Sequence, residues 1–101
     1  MANQNRILIV DDEIVIRELM TDILQDEGFA TTSAPDGKTA LKLLREDGDF
    51  SVLFTDIMMP EMDGIELVRE ARKVAPSIVP IVMTGYATIE TARAAVKEGA
   101  Y

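Results

Sequence analysis

Short runs of adjacent apolar residues alternate along the chain with stretches where apolar residues return at every third or fourth position. The first run, "RILIV" (Arg6–Val10), is rich in β-branched residues and predicts a buried strand. Behind it Ile16, Leu19, Met20, Ile23 and Leu24 share one helical face, and Gly28 stands where a C-terminal cap belongs. "FATTSA" (Phe29–Ala34) is strand-like but more polar, which suits one side of a sheet. "PDG" (Pro35–Gly37) turns the chain into a second helix carrying Ala40, Leu41 and Leu44, ended by Gly48-Asp49. "SVLFTD" (Ser51–Asp56) predicts the third strand. Asp63 is placed to cap a third helix, with Glu66 three residues on as capping-box partner and Leu67, Val68, Ala71 and Val74 behind it. "IVPIVMT" (Ile78–Thr84) predicts a fourth strand, with Pro80 near its start because proline brings no N–H to a ladder. Thr88 suits the cap of a last helix, with Ile89, Ala92, Ala95 and Val96 inward and Gly99 at its end.

Strict strand–helix alternation implies an α/β fold, a parallel sheet covered on both faces and linked by right-handed crossovers. The most polar strand is the second, and an edge position for it fits the flavodoxin-like doubly wound order 2-1-3-4. A chain of 101 residues holds a single core, so residues 1–101 read as one domain. No linker, low-complexity segment or repeat beyond the alternation itself interrupts it.

Charge and composition then narrow the function. With 10 Lys+Arg against 18 Asp+Glu the net charge is −8, which argues against direct nucleic-acid binding and against an anionic membrane surface. A cation, or a basic patch on a partner, fits better. Cysteine and histidine are absent, which excludes disulfides, thiolate or imidazole metal sites and Ser-His-Asp catalysis. "MANQNR" has no apolar leader and no run reaches membrane length, so a cytoplasmic location is the expectation.

In a parallel sheet the carboxyl ends of all strands share one rim. Asp11 and Asp12 follow the first strand, Asp56 ends the third and Thr84 the fourth, so all four should meet at one crevice. Strands only about 4.8 Å apart would bring the three carboxylates close enough to repel unless a cation joins them. Oxygen-only ligands suit a hard ion, magnesium foremost and manganese as its substitute. A strand-tip carboxylate beside such an ion is equipped to take up a phosphoryl group, with Thr84 as a small neutral donor to a phosphate oxygen. Each residue also has a plainer explanation. Asp11-Asp12 is an ordinary helix-capping pair. Asp56 is a turn former, though Met58-Met59-Pro60 makes a poor Asx-turn sequence. Thr84 is a strand end, and Met58, Met59 and Met62 read as loop packing.

"ILIVDDE", "VLFTDIMMPEMDG", "VMTGYA" and "AVKEGA" together resemble the receiver domain of two-component response regulators, in order and over essentially the whole chain. The resemblance implies that Asp56 is the phosphoacceptor, served by the phosphohistidine of a sensor histidine kinase or phosphotransfer protein. It implies that Asp12 ligates magnesium directly, that Asp11 assists, and that the Met58 backbone carbonyl completes the protein's share of the shell with Asp56. Thr84 becomes the switch hydroxyl, Met58 and Tyr86 flank the site, Pro60 shapes the loop after the acceptor, and Asp63-Gly64 starts the third helix.

Receivers continue from a segment like Lys97–Ala100 into a fifth strand and helix, which carry a switch aromatic and a lysine directed at the phosphoryl group. The chain stops at Tyr101. The expectation is therefore a receiver short of one cation and of part of its output face. Its fourth strand would be an apolar edge open to self-association and its first helix would keep apolar surface uncovered. Two rivals remain. A non-phosphorylated scaffold would be expected to lack some of the acids, and all three are present, while the missing fifth strand keeps a phosphorylation-incompetent fragment open. A magnesium-dependent aspartyl-phosphate phosphohydrolase would need an acid two residues after the nucleophile, where Met58 stands.

Overall fold

The structure, a computed structural model, describes residues 6–47 and 49–83. Strands and helices alternate as β1 (Arg6–Val10), α1 (Ile14–Asp26), β2 (Ala30–Ala34), α2 (Gly37–Glu46), β3 (Val52–Asp56), α3 (Gly64–Val74) and β4 (Val79–Met83). The strands form one parallel sheet in the order β2-β1-β3-β4, the order the polarity of β2 predicted. The pairing is level at the carboxyl rim: Val10 lies opposite Ala34 on one side and Thr55 on the other, and Asp56 lies opposite Met83.

Local signals set the helix ends. Asp36 accepts from the Thr39 N–H at 2.8 Å to start α2, and Asp63 accepts from the Glu66 N–H at 2.9 Å to start α3. Such a cap contributes about 1 kcal/mol. Glu66 in the first turn of α3 and Arg72 and Lys73 in its last turn complement the helix dipole. Gly28 closes α1 at φ 96°, with Gly28 N–H and Phe29 N–H reaching back to the carbonyls of Gln25 and Leu24. Pro80 sits second in β4, opposite Leu53, close to the predicted place. Arg6 closes the far end of the sheet, its guanidinium forked onto Asp47 at 2.8 and 3.0 Å and stacked 4.4 Å from the centre of the Phe50 ring.

Most of the core lies on one face. Leu8, Val10 and Leu53 from the sheet meet Ala40, Leu41 and Leu44 of α2 and Leu67, Val68 and Ala71 of α3. Each fully buried leucine among them contributes about 1.5–3 kcal/mol. Ile7 and Ile9, which strand alternation turns to the other face, are also buried, and α1 contacts β1 and β2 there.

The apolar face read for α1 is only partly covered, with Ile16, Met20 and Leu24 half-buried and Leu19 and Ile23 exposed. No residue of α1 is fully covered, and Ile14, Val15, Leu19 and Ile23 are 47 to 69% exposed. A single helix on that face of the described sheet leaves much of its stripe in solvent, in line with the expected open surface. Among the described residues no strand pairs the outer side of β4. Thr84, Tyr86 and the predicted last helix from Thr88 to Gly99 lie outside the described residues. No described helix is long and apolar enough to cross a membrane.

Candidate functional site

Sheet pairing assembles the site. Asp11 is the first residue past β1 and Asp56 the last of β3, and these strands are direct neighbours. One carboxylate oxygen from each of Asp11, Asp12 and Asp56 lies within 4.8 Å of the others. Asp11 is buried at 2% exposure, Asp56 is half-buried and Asp12 is exposed, so the cluster opens toward solvent on the Asp12 side.

Asp11 is held on three sides. Its N–H donates to the Ala34 carbonyl of β2 at 3.3 Å, its Oδ1 accepts from the Glu13 N–H at 2.9 Å, and its carbonyl accepts from Arg17 Nη1 at 2.8 Å. Burial pushes its carboxyl above the ordinary carboxylate range, and the neighbouring charges of Asp56, Asp12 and Glu13 push the same way. The Glu13 N–H opposes the shift without cancelling it. A buried acid facing like charges is a site that gains from a cation.

Asp56 is fixed through its backbone. Its carbonyl accepts from the Thr55 hydroxyl at 3.0 Å, and the next N–H, from Ile57, donates to Met83 at 3.1 Å. Gly64, the first residue of α3, donates to the Ile57 carbonyl at 2.8 Å. A Cβ on Gly64 would stand 2.2 Å from the Asp56 carbonyl oxygen and 2.9 Å from the Ile57 Cα. Only glycine lets the helix start so close to the end of β3. Asp56 Oδ1 accepts from the Met58 N–H at 3.2 Å, so an Asx-type bond forms where the sequence "MMP" argued against one.

The methionines part company. Met59 is buried in the core and Met62 packs against it, as loop packing requires, while Met58 is 55% exposed beside Asp56. The next two residues form a tight turn, Glu61 at φ 67° with the Met62 N–H on the Pro60 carbonyl at 2.7 Å.

The three acids fit a hard divalent ion. Oxygens about 2.1 Å from magnesium in an octahedral shell are about 3 to 4 Å apart, so small side-chain rotations would bring this set into one shell. Asp11, Asp12 and Asp56 therefore come together as the sequence predicted, and Thr84 and Tyr86 lie outside the described residues. Sequence reasoning missed Arg17. Its signal was a cation in the first turns of a helix, where the dipole disfavours one.

The family model of the response regulator receiver domain matches residues 7–101. The chain belongs to that family. This receiver is 44% identical over 101 residues to the regulatory protein AtoC of Escherichia coli strain K12, covering all of this chain and 22% of that one. Among solved structures it superposes on a CheY-like receiver domain protein from Methanospirillum hungatei JF-1 with a TM-score of 0.90 and 34% identity, covering 97% of this chain and 78% of that one. It also superposes on a response regulator from Burkholderia pseudomallei, solved with a phosphorylated aspartic acid, a calcium ion and citrate. That match has a TM-score of 0.88 and 31% identity, covering 96% of this chain and 56% of that one. The chain thus spans about a fifth of the AtoC relative, and it is a receiver of two-component signalling with an acidic cluster suited to a metal ion.

Proposed function

We propose that this receiver is a phosphorylation-dependent switch in which Asp56 accepts a phosphoryl group from the phosphohistidine of a sensor kinase or phosphotransfer protein. The convergence of Asp11, Asp12 and Asp56 at one rim of the sheet carries the reading. Asp56 Oδ1 is engaged by the Met58 N–H, which orients the carboxylate and leaves the other oxygen as the nucleophile. The new P–O bond forms as the donor's P–N bond breaks, and the released imidazole takes up a proton. A bound magnesium or manganese ion supplies charge neutralisation for the transferring group. Asp12, exposed, would ligate it directly, with Asp11 behind and the Met58 carbonyl beside Asp56. Thr84 is assigned as the switch hydroxyl, Met58 and Tyr86 as flanking residues and the cytoplasm as the location, on the family resemblance. The Burkholderia relative with its phosphorylated aspartate and calcium supports the same chemistry for this chain.

The test is intact mass after incubation with acetyl phosphate and magnesium, with Asp56→Asn alongside. A phosphoryl adduct that needs the metal and is lost in the variant is the expected result. No adduct on folded protein overturns the proposal in favour of a non-phosphorylated scaffold. Steady phosphate release from a simple phosphomonoester would favour the hydrolase.

A further inference from the structure

We infer that Arg17 is a positioning residue for the acidic cluster, setting its metal affinity through the peptide that joins Asp11 to Asp12. This rests on the proposed metal site and goes beyond it, because Arg17 is no ligand. Arg17 is the fourth residue of α1, where the positive helix end makes a cation unfavourable, and the first turn carries no acid to offset it. The Glu13 N-cap makes no side-chain capping bond either. What holds the half-buried arginine there is the Asp11 carbonyl at 2.8 Å, six residues back. That carbonyl belongs to the rigid peptide plane from which Asp12 departs.

With the Asp11 N–H on Ala34 and its Oδ1 on the Glu13 N–H, the arginine bond holds the remaining polar group of Asp11 and so the plane of the Asp11–Asp12 peptide. The Asp11 carboxylate is thereby aimed at the cluster and the Asp12 backbone is placed beside it. Without the bond, the peptide can tilt, and the repulsion among three acids gives it reason to do so. The role is geometric rather than a matter of charge. Arg17 meets the cluster through the Asp11 backbone carbonyl, and no ion pair joins it to the three carboxylates among the described residues.

The experiment is calorimetric titration of magnesium into wild type, Arg17→Met and Arg17→Lys, each with its thermal melt. Arg17→Met keeps the apolar stem and loses the donor, and its magnesium Kd should rise about tenfold or more, as for other groups that orient metal ligands. Arg17→Lys keeps a donor without the planar fork and should fall between, and it carries the comparison if Arg17→Met does not fold. Because the effect is geometric, the Kd ratio should persist when ionic strength is raised. A lowered Tm with unchanged Kd would overturn the inference and leave Arg17 a packing residue. Full rescue by lysine together with a ratio that collapses in salt would overturn it in favour of a charge effect. If wild type itself binds no magnesium, the metal site fails first and Arg17 has nothing to position.

Discussion

Replacing Gly64 by alanine tests how tightly β3 is bound to α3. The added Cβ would lie 2.2 Å from the Asp56 carbonyl oxygen, 2.9 Å from the Ile57 Cα and 3.0 Å from the Asp56 carbonyl carbon. All three atoms are backbone in or just after a central strand, so no rotamer change relieves the overlap. Either the start of α3 or the end of β3 must move by about 1 Å, and overpacking of this kind costs about 1–3 kcal/mol or more. Alanine returns up to about 1 kcal/mol through helix propensity and a less flexible unfolded chain. A net loss of about 1–2 kcal/mol lowers the Tm of a domain this size by about 5–15 °C. Gly37→Ala is the control, since its Cβ would meet the Met62 side chain, Sδ at 2.6 Å, which can swing aside. Thermal unfolding followed by circular dichroism reads both. If Gly64→Ala melts with wild type, or if Gly37→Ala loses as much, the close approach does not govern stability.

Two further predictions concern charge and backbone strain. The Asp11 carboxyl is raised in the fold, so the folded state holds its proton to higher pH than the unfolded chain does. Metal-free Asp11→Asn should therefore be more stable than wild type at pH 7. The gap should shrink as pH falls through the raised folded value and vanish below the unfolded carboxylate value of about 3.9. Magnesium should reverse the order at pH 7. Urea titrations across that range check this, and a wild type more stable than the variant at pH 7 without metal would sink it. At Glu61, with φ 67°, valine should cost about 1–2 kcal/mol through its β-branch while glycine stays within about 1 kcal/mol of wild type. Equal urea midpoints for valine and wild type would show that the turn relaxes freely.

The fold was legible because its signals are local and repeated. β-branched runs, the turn at Pro35–Gly37, the cap at Asp63 and Gly28 each mark one boundary, and the polarity of "ATTSA" put β2 at the edge. The acidic triad followed from topology alone, since parallel strands bring their ends to one rim. What escaped depends on distance in space rather than spacing in sequence. Apolar periodicity shows which residues of α1 share a face, but whether that face is covered depends on a neighbour, and Leu19 and Ile23 remain exposed. The Arg17 bond to Asp11 and the approach of Gly64 to Asp56 are contacts of individual atoms that no spacing rule marks.

The order β2-β1-β3 has a consequence for when the switch comes into being. Asp11 and Asp56 stand more than forty residues apart in the chain, and the intervening α1, β2 and α2 must loop back for β1 and β3 to pair. No contiguous segment carries part of the cluster beyond the Asp11-Asp12 pair, and the closure that completes it also completes the core. A chain still emerging from the ribosome, or one that has lost its β1–β3 pairing, carries only a scatter of ordinary acids in place of the cluster. The cluster arrives together with the tertiary structure, so under the proposed function the topology itself would keep unfinished or damaged copies from taking up a phosphoryl group.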